Sequence, residues 1–286
     1  MLAALAITIP MGLDLYMPVP EDNPLTLEKI ELGRRLFFDR RLSRDGSVSC
    51  STCHDPDLAF SDGRALAVGI GQREGRRNSP ALVNRGYGRL FFWDGRSPTL
   101  EDQVLKPIED PNEMDLPLAE ASARAGLDTT TMARALATYI RSILSGDSPY
   151  DRFINGDRPA LSSQQQLGLQ IFRSKANCTA CHVGPNFTDE QLHNTGVAWR
   201  NRKLADEGAG QGRFKTPTLR EISRTAPYMH DGSMATLEDV VEFYDAGGRA
   251  NPGLDPEVRA LHLSPVEKQA LVAFLRALSG RSLKAR

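Results

Sequence analysis

The sequence has almost no net charge, no apolar run long enough to cross a bilayer, and no cysteine outside two short clusters. Its 35 Lys and Arg against 36 Asp and Glu leave a formal charge of -1. That balance gives no reason to expect nucleic acid, an anionic membrane or a strongly acidic partner. A membrane span needs roughly 20 apolar residues in succession; the apolar opening from Leu2 to Ile9 is too short, no later segment approaches that length, and a soluble mature protein is expected. The opening has no basic residues ahead of it and resembles the tail of a secretory signal. Long alternating strand patterns are also missing, and 40% apolar residues with 24 Gly and 18 Pro suit a turn-rich globular chain, not a disordered or fibrous one. With 286 residues there is room for two domains of about 100–200 residues each.

The cysteines that are present are Cys50, Cys53, Cys178 and Cys181, and a histidine follows each pair at once: Cys50-Ser-Thr-Cys53-His54 and Cys178-Thr-Ala-Cys181-His182. This is the pattern of covalent c-type haem attachment, in which two thiols bond the porphyrin edge and the histidine ligates iron. Zinc ribbons separate such pairs by about 15–20 residues. Here more than a hundred lie between them, and zinc gives no reason for a histidine after both. A redox dithiol calls for one reactive pair beside a βαβ pattern, which is missing, and disulfides explain the histidines no better. Two c-type haems are expected, with maturation outside the cytosol in the periplasm, in keeping with the apolar N-terminus.

The segment "TLEKIELGRRLFFD" has apolar residues at Leu27, Ile30, Leu36 and Phe37 with charges between, and Thr26 can cap it, so a helix leads into the first cluster. The same reasoning predicts helices over roughly Leu100 to Pro107, Thr130 to Leu144, Ser162 to Phe172, Thr236 to Ala246 and Ser264 to Leu278. Ser162-x-x-Gln165 has capping-box spacing, and Ser264-Pro265-x-Glu267 also reads as a helix start. The expected fold is mostly α, with two cytochrome c-like domains whose long loops pack around the haems. The turn-rich stretch "SGDSPYDRFINGDRPALS" sets the boundary, giving domains 1–155 and 156–286. Each half repeats one order of parts: a helix ending in Phe, a link, C-x-x-C-H, then "LAFSDG" or "PNFTDE". An internal duplication is therefore expected.

Five blocks in order, "LGRRLFFDRRLSRDGSVSCSTCH", "RRNSPALVN", "LFFWDGRSPTLEDQVLKPIEDPNEM", "NFTDEQLHNTGV" and "FKTPTLREISRTAPYMHDGSMATLEDVVEFYDAGG", give a chain that resembles the bacterial dihaem cytochrome c peroxidase and MauG superfamily over nearly its whole length. The resemblance implies a peroxide-reactive N-terminal haem and a C-terminal haem that stores or relays electrons. It implies Glu113 as the acid–base that moves protons on hydrogen peroxide, with Gln103 and Pro107 shaping its pocket and Phe92 over the same haem. Trp93 matches the tryptophan between the haems, where an indole can carry an oxidising equivalent. Asn78, Thr225 and Pro227 match a calcium site, their amide and carbonyl oxygens being suitable hard ligands.

Two positions depart from the peroxidase pattern. Many of these peroxidases hold a histidine in the loop after the first haem; that position falls on Ile70, which cannot ligate iron, so an open first haem is expected. The methionine expected as sixth ligand of the second haem is replaced by Tyr244, the MauG-type choice, with Met229 and Met234 as nearby rivals. Tyr244 also continues the helical stripe of Leu237, Val240 and Val241, which a core tyrosine would do as well. The surface tryptophan that MauG enzymes carry before the second motif is replaced by "SKAN", and Trp199 lies after it as a loop or packing residue. His193 and His230 are expected behind or at the edge of a haem, and His262 at the surface.

The leading expectation is thus a periplasmic enzyme that reduces hydrogen peroxide with electrons from a small cytochrome or copper protein. A variant uses the same oxidised state to modify a residue on a partner protein. A plain electron-transfer cytochrome is the other class, and Glu113, Gln103 and the absence of a ligand at Ile70 argue against it.

Overall fold

The computed structural model describes residues 7–280; most of the apolar opening, Leu2 to Ala6, lies outside the described residues. Ten α-helices and only four two-residue strands occur among them. In chain order the helices are α1 (Leu27–Phe37), α2 (Cys50–Cys53), α3 (Leu100–Gln103), α4 (Lys106–Glu109), α5 (Leu118–Ala125), α6 (Thr129–Ser142), α7 (Pro149–Ile154), α8 (Ser163–Arg173), α9 (Leu237–Asp245) and α10 (Pro265–Arg276). The strands form two antiparallel pairs: β1 (Leu192–His193) with β4 (Phe214–Lys215), and β2 (Trp199–Arg200) with β3 (Lys203–Leu204).

The helix starts obey their caps. Thr26, Ser162, Thr236 and Ser264 each accept a backbone N–H of the first turn, and Gln165, Asp239 and Glu267 reach back to close capping boxes. The predicted helix from Leu100 to Pro107 is in fact two short ones. Pro107 has no N–H for the Gln103 carbonyl, so the ladder breaks there and α4 restarts with Pro107 in its first turn. The turn-rich stretch expected at the boundary contains α7, whose Ser148 and Asp151 form a capping box. Asp151 is fully buried against Arg220, which also donates to the carbonyls of Gly12 and Pro185. That segment is therefore a strut holding both halves and the N-terminal segment, not a loose link.

Two apolar cores divide the chain, one drawn from Met17 to Ile143 and the other from Leu161 to Leu278. Each is built on one pair of crossed helices, α1 on α6 and α8 on α10. The pairs match residue for residue. Gly33 lies against the Ala135 carbonyl and Tyr139, and Gly168 against the Ala270 carbonyl and Phe274. Phe37 packs on Tyr139 at 5.2 Å and on Phe60 at 6.0 Å; Phe172 packs on Phe274 at 5.2 Å and on Phe187 at 6.1 Å. This repeated cluster supports the duplication that the shared motif order suggests.

The crossing tolerates no side chain at the glycines. A Cβ on Gly168 would sit 1.9 Å from the Ala270 carbonyl oxygen. Gly168→Ala is therefore expected to lower stability by about 1–3 kcal/mol despite alanine's better helix propensity, read as a reduced Tm or denaturant midpoint. An unchanged midpoint would mean that the helices do not cross this closely.

Candidate active site

Each C-x-x-C-H segment is followed by a turn that reaches back to its histidine. Phe60 and Phe187 adopt left-handed backbone conformations, φ 61° and 51°, and their carbonyls accept a hydrogen bond from Nδ1 of His54 and His182, both at 2.9 Å. With Nδ1 protonated, Nε2 of each ring keeps its lone pair. Burial pushes the pKa of both rings below the usual histidine range, outweighing the carbonyl contact, so each is neutral and fit to ligate a metal. The repeated geometry suits the proximal ligand of a haem at each cluster.

The cysteines fit no competing use. All four are free. Burial pushes Cys50 and Cys178 up to about 12 and Cys53 up to about 11, so they lack the thiolate character of a redox dithiol. Among the described residues, one group of His, Cys, Asp and Glu has metal-ligand spacing, Cys181 with Asp189 and His193. It draws on only one of the two pairs, which argues against a shared zinc site.

Around the first cluster, three loops converge. Glu113 stands close enough to Cys50 and Cys53 for its charge to raise both thiols. Burial, with help from Asp110, pushes its own carboxyl up to about 7, against the opposing charge of Arg96. The turn that carries it is fixed by Glu113 N–H to the Asp110 carbonyl at 3.0 Å and Met114 N–H to the Pro107 carbonyl at 3.2 Å. Gln103 ends α3 just before the break that Pro107 causes. Ile70 is buried and donates its N–H to the Glu113 carbonyl at 2.8 Å, which ties its loop to the one that carries Glu113. Gly69 lets the two loops touch: a Cβ there would meet the Asn112 carbonyl at 2.1 Å. Phe92, at φ 64°, lies beneath the Arg96 guanidinium at 3.5 Å from the ring centre.

Trp93 spans the seam between the halves. Its indole N–H donates to the Asn78 carbonyl at 2.8 Å, and its own carbonyl accepts the N–H of Lys215 at 2.7 Å. Arg77 ties the same seam, paired with Asp94 on one side and Asp206 on the other. Asn78 is buried, with its side-chain amide 2.7 Å from the Arg64 carbonyl and 3.4 Å from that of Pro227. Both carbonyls accept from the amide nitrogen Nδ2, so here they surround a donor and not the amide oxygen that a hard cation would take. The Thr225 hydroxyl turns away, to the Ile222 carbonyl at 3.4 Å, which leaves only its main-chain oxygen for such a role.

Beside the second cluster stands Tyr244, on α9. Its phenol is half-buried near Cys178 and Cys181; desolvation, with the charges of those thiols, pushes it up to about 12, against the effect of Thr195. Tyr244 thus continues the α9 stripe and also lies within electrostatic reach of both thiols of the second cluster. Met234 is buried in the strand-like pairing with Tyr228, and Met229 has φ 76°. His193 bridges Asp255 at 2.5 Å and Asp189 at 2.9 Å, beside Cys181, and His230 stacks on Phe214 at 3.6 Å. His262 is exposed, as expected. Sequence reasoning missed Thr195, Lys215 and the partners of His193, since only the folded chain brings them to the clusters.

Residues 27–129 match the family described as di-haem cytochrome c peroxidase. The methylamine utilization protein MauG of Methylorubrum extorquens is 40% identical, over 92% of this chain and 81% of its own. The cytochrome-c peroxidase IdrP2 of Denitromonas iodatirespirans is 37% identical, over 93% and 85%. Among solved structures, a MauG-like protein associated with microbial copper homeostasis superposes with a TM-score of 0.84 at 34% identity, covering 95% of both chains. At this identity and coverage the chain belongs to the di-haem cytochrome c peroxidase family that includes MauG, and it is a haem-dependent oxidoreductase of peroxidase type.

Proposed function

We propose that the protein reduces hydrogen peroxide at its N-terminal centre and shares the resulting oxidising equivalents with its C-terminal centre. The observation that carries this reading is Glu113, held protonated up to about pH 7 beside the first cysteine pair and backed by Ile70 in place of a ligand. Two covalent c-type haems, attached through Cys50, Cys53, Cys178 and Cys181, supply the redox chemistry when bound. His54 and His182 would each ligate one iron, and Tyr244 would add a ligand to the second.

The ionised Glu113 takes a proton from peroxide and returns it to the departing oxygen. Gln103 and Pro107 keep that carboxyl in place, and Phe92 closes the pocket over it. Ile70 offers no lone pair, so nothing from its loop competes with peroxide. Trp93 relays charge across the seam, anchored at Asn78 on one side and Lys215 on the other. Asn78, with main-chain oxygens of Thr225 and Pro227, holds calcium and stiffens that seam. The two halves act as one-haem domains, 1–155 and 156–286, and the protein works in the periplasm.

Tyr244 beside the second cysteine pair favours a second reading, in which the oxidised state modifies a residue of a partner protein instead of drawing electrons from a small cytochrome or copper protein. The "SKAN" segment has no aromatic; its Lys175 pairs with Glu267.

Low-temperature EPR tests the proposal. The oxidised protein is expected to give one high-spin and one low-spin ferric signal, both lost on adding one equivalent of hydrogen peroxide without prior reduction. Two low-spin signals that ignore peroxide until the protein is half reduced would overturn the open first site.

A further inference from the structure

Lys215 is a buried cation with too few partners. It lies on β4 with its side chain 9% exposed, and its ammonium donates to the Thr216 carbonyl at 3.1 Å. The nearest carboxylate, Glu190, stands at 3.6 Å, beyond a good hydrogen bond. Glu190 is already occupied. It accepts from Arg85 at 2.7 and 3.1 Å and from the N–H groups of Arg89 and Leu90 at 3.1 and 3.4 Å. Asp189, the next acid, is taken up by His193 and the N–H of Gln191, both at 2.9 Å.

Two buried cations, Arg85 and Lys215, thus share one carboxylate. An ammonium has three donors, and the protein offers this one a carbonyl and a shared carboxylate. Burial, with the like charge of Arg85, pushes Lys215 down to about 7, the mark of an under-compensated cation. Lys215 pairs with Leu192 across β1 and β4, and the Thr188 hydroxyl, next to the Phe187 carbonyl that holds His182, donates to the Thr216 carbonyl at 2.7 Å, so the residue lies on the second centre's side of the seam. A porphyrin carries two carboxylates of its own, and a buried carboxylate needs what Lys215 has spare.

We infer that Lys215 anchors a propionate of the second haem, an inference that rests on the two-haem reading above. Its main chain holds the Trp93 carbonyl, so one residue fixes both that haem's edge and the indole beside it.

The test uses holoprotein, with haem content measured first as two c-type haems per chain. Less than two in the wild type would overturn the two-haem reading itself. Given two, Lys215→Met is expected to move the reduction potential of the second haem negative in spectroelectrochemistry, with the first haem unmoved and Lys215→Arg close to wild type. A cation near the haem favours the reduced state, which sets that sign. Unmoved potentials at full haem content would mean that Lys215 serves Glu190 alone, and a shift confined to the first haem would refute the assignment. Redox-difference infrared spectra of wild type and Lys215→Arg cover the case in which Lys215→Met fails to fold. The propionate carboxylate band is expected to shift between them, and an unmoved band overturns the proposal.

Discussion

Replacing Glu113 with glutamine is expected to slow the reaction with hydrogen peroxide by about 10²–10⁴-fold while both haems stay attached and their resting spectra stay unaltered. The amide keeps the shape of the pocket and loses the proton acceptor. Stopped-flow mixing with peroxide measures the second-order rate constant directly, and an unchanged constant would remove Glu113 from the chemistry. The pH profile gives a sharper form of the same expectation. Burial and Asp110 raise the Glu113 carboxyl to about 7. Below that pH the group is protonated and cannot accept a proton, so the wild-type rate constant falls about tenfold for each further pH unit, as for a single titrating base. Above it the rate levels off. Glu113→Gln has no such bend. Asp110→Asn removes a negative neighbour, lowers the Glu113 pKa and moves the bend to lower pH.

The parts of this arrangement differ in how far the sequence discloses them. Helix starts are local: Thr26, Ser162, Thr236 and Ser264 announce themselves because cap and apolar stripe lie within one turn. Helix α7 stays hidden because Ser148, Pro149 and Asp151 serve equally as turn residues and as a cap. Helix α5 is rich in alanine and buries only Ala121, too weak a stripe to read. The haem-type clusters are legible because their chemistry fixes spacing along the chain. By contrast, the partners of Tyr244 and Lys215 depend on contacts between distant segments. Thr195 reaches Tyr244, and Arg85 takes the carboxylate nearest Lys215, only once the two halves close on each other.

Tyr244→Met is expected to raise the reduction potential of the second haem, by a few tenths of the roughly 0.8 V span that axial ligands command. Thioether sulfur favours ferrous iron, whereas phenolate oxygen favours ferric and higher states. The direction follows from the state of the phenol. Burial and the neighbouring thiols hold it near 12, so on its own it is neutral at physiological pH. On the proposed reading, the charge of the iron brings it into the ionised form. Thr195 acts to lower the phenol's pKa, so once the phenolate is bound to iron, Thr195→Val leaves it a stronger donor to ferric iron and should move the potential the opposite way by a smaller amount. Spectroelectrochemistry reads both shifts. A potential and spectrum untouched by Tyr244→Met would send the search to Met229 or Met234. A risen potential would mean that this centre is tuned to hold oxidising equivalents, and that one side chain on α9 separates it from a centre tuned to receive electrons.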